Sequence, residues 1–256
     1  RDSHWNNKGA ALAADVLMDA LGKEHDSYEG ESYTVRRDYT GDLDTMLYPL
    51  APTADDEIYY DKETTYATVE EIQSNFDPRI TTVNPVKEGS LVMYRDSFGN
   101  ALLPYMADAY ANAYFSRGIP YQLTDVEAHS ADTVIIERAE RFLPEMSQFP
   151  PVLTAKEISL TEGEELQGSD GAVDVKIKPQ GMTAQLSGRI KEGLLDTDSR
   201  IYLKVNGSVY EAFPMDVKVG ENLDDKGFCL YLSSELVAAD GNDIEILIEK
   251  DNKIFN

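Results

Sequence analysis

Two short runs carry residue types that could do covalent chemistry together: Asp2-Ser3-His4-Trp5 at the start of the chain, and Arg95-Asp96-Ser97-Phe98-Gly99-Asn100, with 93 residues separating His4 from Ser97. In extended backbone, residues two apart point to the same side, so Asp2 and His4 can share a face and the carboxylate can orient the imidazole. An imidazole held in this way can take the proton of a serine hydroxyl, which turns the hydroxyl into a nucleophile for acyl transfer. His25 lies in the polar run GKEHDSYEGES and His129 ends LTDVEAH, and both read as solvated surface residues. Of the three histidines, His4 alone has a carboxylate at catalytic spacing. Two structural roles compete with the chemical one: Asp2 and His4 can pin the chain start as a hydrogen-bonded pair, and Asp96 or Ser97 can simply cap a helix.

Elements are needed on both sides of Ser97 to position it. Leu91, Val92 and Met93 form a short apolar run that reads as a strand buried on both faces. From Phe98 the period changes, and Leu102, Met106, Ala109 and Ala113 recur as on one face of a helix. Ser97 therefore falls where a strand ends and a helix begins, a place where free backbone N–H groups can stabilise an oxyanion. Gly99 permits a tight turn or a close approach.

Upstream, Ala10 to Leu21 is an expected helix with Leu12, Val16 and Leu17 spaced for burial and Gly22 as its stop. Strands are expected at 33–37, 57–60, 66–69 and 80–84, with a turn or short helix at 41–47. Downstream come a strand at 113–115, a helix at 123–129 and a buried β-branched run at 133–136. This alternation from 90 to 136 implies crossover units, a parallel sheet and functional groups at strand C-terminal ends. Ser97 and Glu137 fall at such ends. Glu137, Arg138 and Arg141 either line the site or form an ion-pair network.

The chain has 256 residues, enough for one large core or two ordinary domains. Its net charge of -24, from 47 acids against 23 bases, argues against nucleic acid or an anionic membrane as partner. Cys229 is the single cysteine, so neither an internal disulfide nor a cysteine-based metal site forms. No run of about 18 apolar residues occurs. Because the first motif starts at Asp2, a longer protein with an export signal or anchor ahead of Arg1 is expected.

Phe149-Pro150-Pro151 marks a boundary. Beyond it, Val173, Val175, Ile177, then Ile201, Leu203, Val205, then Phe228, Leu230, Leu232, then Ile244, Ile246, Ile248 alternate with other residues, and Asn206-Gly207 is a hairpin signal. An antiparallel β-sandwich over 152–256 is expected, with carbohydrate binding as its role. Twelve of the 15 tyrosines precede residue 150, where packing or a sugar-facing surface would use them. Trp5, Tyr202, Tyr210 and Tyr231 are the glycan-contact candidates. Gly241-Asn242-Asp243 reads as an inter-strand turn, and the acidic turns at Asp196, Asp198, Asp224 and Asp225 as solvated loops.

The opening DSHWNNKGA and the later MYRDSFGN, in that order and with GDLDTML between them, resemble the SGNH-type domain of bacterial polysaccharide O-acetylation proteins, the alginate acetylation proteins and DHHW proteins among them. The resemblance spans roughly residues 1 to 145. It implies an α/β SGNH-hydrolase-like domain, a parallel sheet with flanking helices, over 1–148. It also implies Ser97 as nucleophile, His4 as general base and Asp2 as the orienting carboxylate, with backbone N–H groups of Ser97 and Phe98 facing the oxyanion. Trp5, Arg95, Asn100, Glu137 and Arg138 are the substrate-binding candidates, and Asn100 is the candidate side-chain oxyanion donor. Arg95 stands where many such esterases have glycine. The implied reaction needs no cofactor or metal. Its acceptor is a cell-envelope or secreted polysaccharide, and a membrane-bound O-acyltransferase supplies the acetyl group outside the cytoplasm. Water as acceptor would make the same residues an acetylesterase. A non-catalytic glycan-binding surface protein, with Ser97 and His4 out of mutual reach or the site blocked, is the alternative from another class, and an adhesive sandwich merely presented by the first domain is a third.

Overall fold

Asn6 accepts the Gly9 N–H and so starts the first helix, α1 (Asn7–Leu21), which ends at Gly22 in the left-handed region, φ 63°. In the computed structural model, which describes residues 1–160, 165–166, 172–238, 241–250 and 253–255, the chain divides into two compact units. One comprises 1–118 and 125–140, the other 119–124 and 141–256.

In the first unit, β1 (Tyr33–Tyr39), α2 (Asp42–Leu47) and β2 (Asp55–Tyr60) form an excursion, the two strands pairing antiparallel with each other. Then follow β3 (Ala67–Thr68), β4 (Arg79–Val83), β5 (Ser90–Tyr94), α3 (Gly99–Ala109), β6 (Asn112–Ser116), α4 (Thr124–Ala128) and β7 (Thr133–Ile136). The five-stranded sheet has the order β3-β4-β6-β5-β7. Only β6, β5 and β7 run parallel, whereas β3 and β4 are antiparallel additions.

This corrects the expected fold class: the chain is mostly β, and the α/β SGNH-hydrolase-like domain on a parallel sheet with flanking helices is not what forms. A parallel pair needs a crossover of a dozen or so residues, usually a helix. Here α3 supplies the only crossover helix longer than five residues among the described residues. β1 and β2 satisfy each other instead of extending the sheet.

The core under this sheet joins Ala10, Ala14 and Met18 of α1 with Leu102, Leu103, Met106 and Ala107 of α3 and with Leu91, Met93, Ala113 and Phe115. The buried stripe of α1 is thus its alanines. Leu12 and Val16, expected inside, are 66% and 60% exposed. Small residues let α1 and α3 approach closely, and their backbones exclude water where larger side chains would otherwise do so. β7 is also less buried than expected: as an edge strand it hides Ile135 and leaves Val134 and Ile136 exposed.

The second unit contains β8 (Glu157–Ile158), β9 (Glu165–Leu166), β10 (Ala172–Gln180), β11 (Thr183–Ile190), β12 (Arg200–Val205), β13 (Ser208–Val219), β14 (Asn222–Ser233), β15 (Ile244–Lys250) and β16 (Lys253–Phe255). They join as one path, β10-β11-β14-β13-β12-β15-β16-β9, with β8 on β13. The twelve-residue β13 pairs through Ser208 to Ala212 with β12 and through Phe213 to Val219 with β14, so the sheet is continuous across it. Leu186, Ile201, Leu203, Phe228, Leu230 and Ile248 meet in one core. Val173, expected to face inward, has its side chain outside the described set.

Candidate active site

Ser97 sits between the buried end of β5 and the first turn of α3, and close approach shapes this junction. A Cβ at Gly99 would lie 2.5 Å from Arg95 Cβ and 2.9 Å from Glu137 Oε2, closer than real Cβ atoms come. Glycine is therefore required by space. Arg95 is 3% exposed. It donates to Asn100 Oδ1 and, at 2.9 Å, to the Asp77 carbonyl. Burial first, then the charge of Arg117, pushes this guanidinium down to about 10, which leaves it charged at neutral pH.

Facing Ser97 is the opening segment, which Gly41 allows to pass against its own backbone. Asp2 gathers donors on both oxygens. Oδ1 accepts the His4 backbone N–H at 2.6 Å, and Oδ2 accepts the Asp42 N–H at 2.9 Å and the Tyr39 hydroxyl at 3.0 Å. Burial pushes the Asp2 carboxyl up, but the His4 and Asp42 N–H groups, with the His4 ring and Tyr39, outweigh it and hold the group below the usual carboxylate range. Burial and the bond to Asp2 push the Tyr39 phenol up to about 12.

His4 Nδ1 lies 2.7 Å from Asp2 Oδ1, and its Nε2 lies 2.8 Å from Ser97 Oγ. An ionised carboxylate can only accept, so Nδ1 carries the ring proton and Nε2 is left to accept the Ser97 hydroxyl. The imidazole is packed against Phe98, ring centroids 4.6 Å apart. Trp5 meets Phe98 edge-on and donates its Nε1 proton to the Phe98 carbonyl at 3.0 Å.

The structure thus brings Asp2, His4 and Ser97 into one line. It treats the other expected site residues differently. The Phe98 N–H donates to Asp96 Oδ1 at 2.8 Å, so that oxyanion donor is engaged. The Ser97 N–H donates to no acceptor among the described residues. Arg95 and Asn100 lie buried beneath the turn, holding one another. Trp5 is half-buried against Phe98. Glu137 lies under the turn, accepting the Asp96 N–H at 3.0 Å, with Arg138 beside it in sequence.

Sequence reasoning missed Tyr39 and the role of Asp42. Asp42 accepts both the backbone N–H, at 2.8 Å, and the hydroxyl of Ser3, and its Oδ2 lies 3.7 Å from His4 Nδ1. The run GDLDTML carried a signal for Asp42. For Tyr39 there was none, because its partner is 37 residues away. Asp2, His4 and Asp42 also bring three ligand-type atoms within 4.8 Å of one another, but those carboxylates already take hydrogen bonds from Tyr39, Ser3 and backbone. A cleft of about 390 Å³ opens beside His4, lined by Asp2, Trp5, Tyr39, Asp55 and Glu57 among others.

Among the described residues, the second unit holds no comparable set. Its cavity of about 570 Å³ is lined by Arg189, Glu192, Asp216, Asp224 and Lys226 without a nucleophile. Tyr202, Tyr210 and Tyr231, expected to be exposed, are buried, at most 4% exposed, because alternation along a strand leaves neither face open where chain covers both. Tyr210 belongs to the main core of the unit, and Tyr231 packs with Val152 and Cys229. The acidic turns are neutralised locally: Asp196 by Lys250, Asp224 by Arg189 and Asp225 by Lys226. His25 is not a solvated surface residue: its Nε2 lies 3.3 Å from Asp15. His129 is exposed and stacks on Tyr114.

No family model and no curated protein matches the chain. Among solved structures it is similar to a DHHW family protein from Eubacterium siraeum, at 16% identity over 53% of this chain and 56% of that one, TM-score 0.44. It is similar also to PatB1 of Bacillus cereus, at 17% identity over 56% and 62%, TM-score 0.44, and to the same protein with a sulfonyl adduct, at 15% over 56% and 60%, TM-score 0.42. The chain spans about six-tenths of the length of these structures, and so slight a likeness transfers nothing to it. No helix among the described residues is long and apolar enough to cross a membrane.

Proposed function

We propose that the protein is a serine acyltransferase that moves an acetyl group onto a polysaccharide hydroxyl through an acetyl-Ser97 ester. One observation carries this reading: the continuous line from Ser97 Oγ through the His4 ring to Asp2, 2.8 Å and 2.7 Å at its two joints. Ser97 Oγ attacks the acetyl carbonyl while its proton passes to His4 Nε2, and Asp2 holds the resulting imidazolium. The tetrahedral intermediate collapses, the donor's oxygen leaves with that proton, and the acetyl group stays on Ser97. In the second half, His4 takes a proton from the acceptor hydroxyl as its oxygen attacks the ester, then returns the proton to Ser97. The Ser97 N–H, which donates to no acceptor among the described residues, is the backbone donor offered to the oxyanion; losing one such donor typically costs about 100- to 1000-fold in turnover.

The saccharide acceptor, a membrane-bound acetyl donor and an extracytoplasmic setting rest on the motif resemblance alone. The same line of residues supports an acetylesterase when water is the acceptor. A non-catalytic glycan-binding role called for Ser97 and His4 to be apart or for the site to be blocked, and their 2.8 Å separation and the cleft beside His4 speak against it.

Intact-mass measurement after exposure to 4-nitrophenyl acetate tests the reading: one acetyl group is expected, mapped to Ser97, and none on Ser97→Ala. No adduct, or one elsewhere, overturns it. Repeating the reaction with envelope glycans separates transfer from hydrolysis, acetylated glycan marking the one and free acetate the other.

A further inference from the structure

Two carboxyls lie beneath the serine turn and take no direct part in the proposed transfer. Asp96 Oδ1 accepts the Phe98 N–H and its Oδ2 accepts the Ala139 N–H, both at 2.8 Å. Glu137 Oε2 accepts the Asp96 N–H at 3.0 Å, and the same carboxyl is hydrogen-bonded by the Gly99 N–H. Two acids from two chain segments thereby satisfy four backbone donors, three of them within two residues of Ser97. We propose that Asp96 and Glu137 act as a hydrogen-bonded carboxyl pair sharing one proton, and that this pair is the positioning device that aims Ser97 at His4. The proposal rests on the Ser97 reading given above.

Geometry gives the reason. Fixing the residues before and after the nucleophile leaves Ser97 itself only side-chain freedom, and Gly99 has no Cβ because Glu137 occupies that space. Burial, then the nearby Asp96 charge and the side-chain bond to Asp96, raise the Glu137 carboxyl to about 7, against the pull of the two N–H groups. Around neutrality Glu137 can thus keep the proton and donate it across its side-chain bond to Asp96. Arg95 is the cation that acts on Glu137 from the β5 side, and it is itself held by Asn100 and Asp77; on its own segment Glu137 is followed by Arg138. When the shared proton leaves, two like charges face each other under the turn.

The sign follows. Glu137 has a folded value above that of an unfolded glutamate, near 4.5. The folded state therefore binds the extra proton, and its contribution to stability is complete below the unfolded value and lost as pH rises through about 7.

The test compares wild type with Glu137→Gln, which keeps a carbonyl to accept an N–H and an amide N–H to donate to Asp96 but cannot ionise. The rate at which a fluorophosphonate labels Ser97 is followed by intact mass from pH 5 to 9, with Ser97→Ala as blank. Wild type is expected to lose rate on the alkaline side with a midpoint near 7, and Glu137→Gln to keep its rate there. Glu137→Ala, which strands two backbone donors, is expected to label about 10-fold or more slowly at every pH, since small misplacements can cost up to about 100-fold. An alkaline limb unchanged in Glu137→Gln overturns the proposal. The melting temperature, measured on the same samples, is expected to fall between pH 5 and 8 in wild type and to stay nearly level in Glu137→Gln; parallel slopes also overturn the proposal. If wild type takes no label at all, the Ser97 reading fails, while the melting slopes still decide whether the pair carries a proton.

Discussion

The two units treat polar groups in opposite ways. Every buried polar or charged residue among the described ones, Asp44, Glu57, Thr82, Asn84, Arg95, Asn100, Asp108 and Ser116, belongs to the first unit. In the second, the interior is apolar and the ions stay outside in pairs such as Arg200–Glu211 and Lys204–Glu245. Burying a charge costs free energy unless it is paired and hydrogen-bonded, so a fold that only needed stability would resemble the second unit throughout. In the first unit Arg95 and Asn100 hold each other beneath the Ser97 turn, where the proposed chemistry would take place, whereas Asn84 and Asp108 bond to one another at the far end of α3.

Substitutions break or sharpen this contrast, and the largest effect is expected at Ser97. Ser97→Ala should abolish acetate release from an aryl acetate and leave the melting temperature within a degree or two, because a half-buried hydroxyl contributes little to the core. Retained turnover would assign the nucleophile elsewhere. Asp2→Asn should come next, with turnover down by about 10,000-fold as in other triads when the orienting carboxylate becomes an amide and the imidazole takes the wrong tautomer; a rate near that of wild type would reduce Asp2 to a structural tie.

Third, Arg95→Met should destabilise the first unit by about 2 to 4 kcal/mol, since the Asn100 and Asp77 oxygens lose buried donors, and denaturant unfolding would read it. At the small end, Arg200→Ala in the second unit should shift stability by no more than about 0.5 kcal/mol and leave turnover alone. Equal costs for the two arginines would erase the difference drawn between the units.

The hydrogen-bonded line of Asp2, His4 and Ser97 was legible in the sequence because its parts are local patterns. Asp2 and His4 are two apart, although the chain bends between them, with the Asp2 carboxylate taking the His4 N–H, instead of running extended as expected, and Ser97 lies at a change from strand to helix. What lay beyond reach depends on distant partners. Tyr39 on Asp2 and Asp42 on Ser3 are 37 and 39 residues away from what they bind. The fold class failed for a related reason: strand and helix alternation between 90 and 136 says nothing of β3 and β4, which enter the sheet antiparallel, or of β1 and β2, which pair apart. In α1, hydrophobic spacing favoured Leu12 and Val16, whereas packing chose the smaller face. Strand periodicity in the second unit located the strands but left Tyr202, Tyr210 and Tyr231 apparently outside, because a period of two describes one covered face and not two.

The way the chain visits the two units has a practical consequence. Ile119–Thr124 leaves the first unit, bridges Gln122 to Val152 in the second, and returns at Asp125 before the final crossing near Arg141. No single cut can therefore separate the two. A fragment starting at 152 forfeits a piece of its own fabric, and a protease would have to nick the polypeptide in more than one place before either half could be isolated intact.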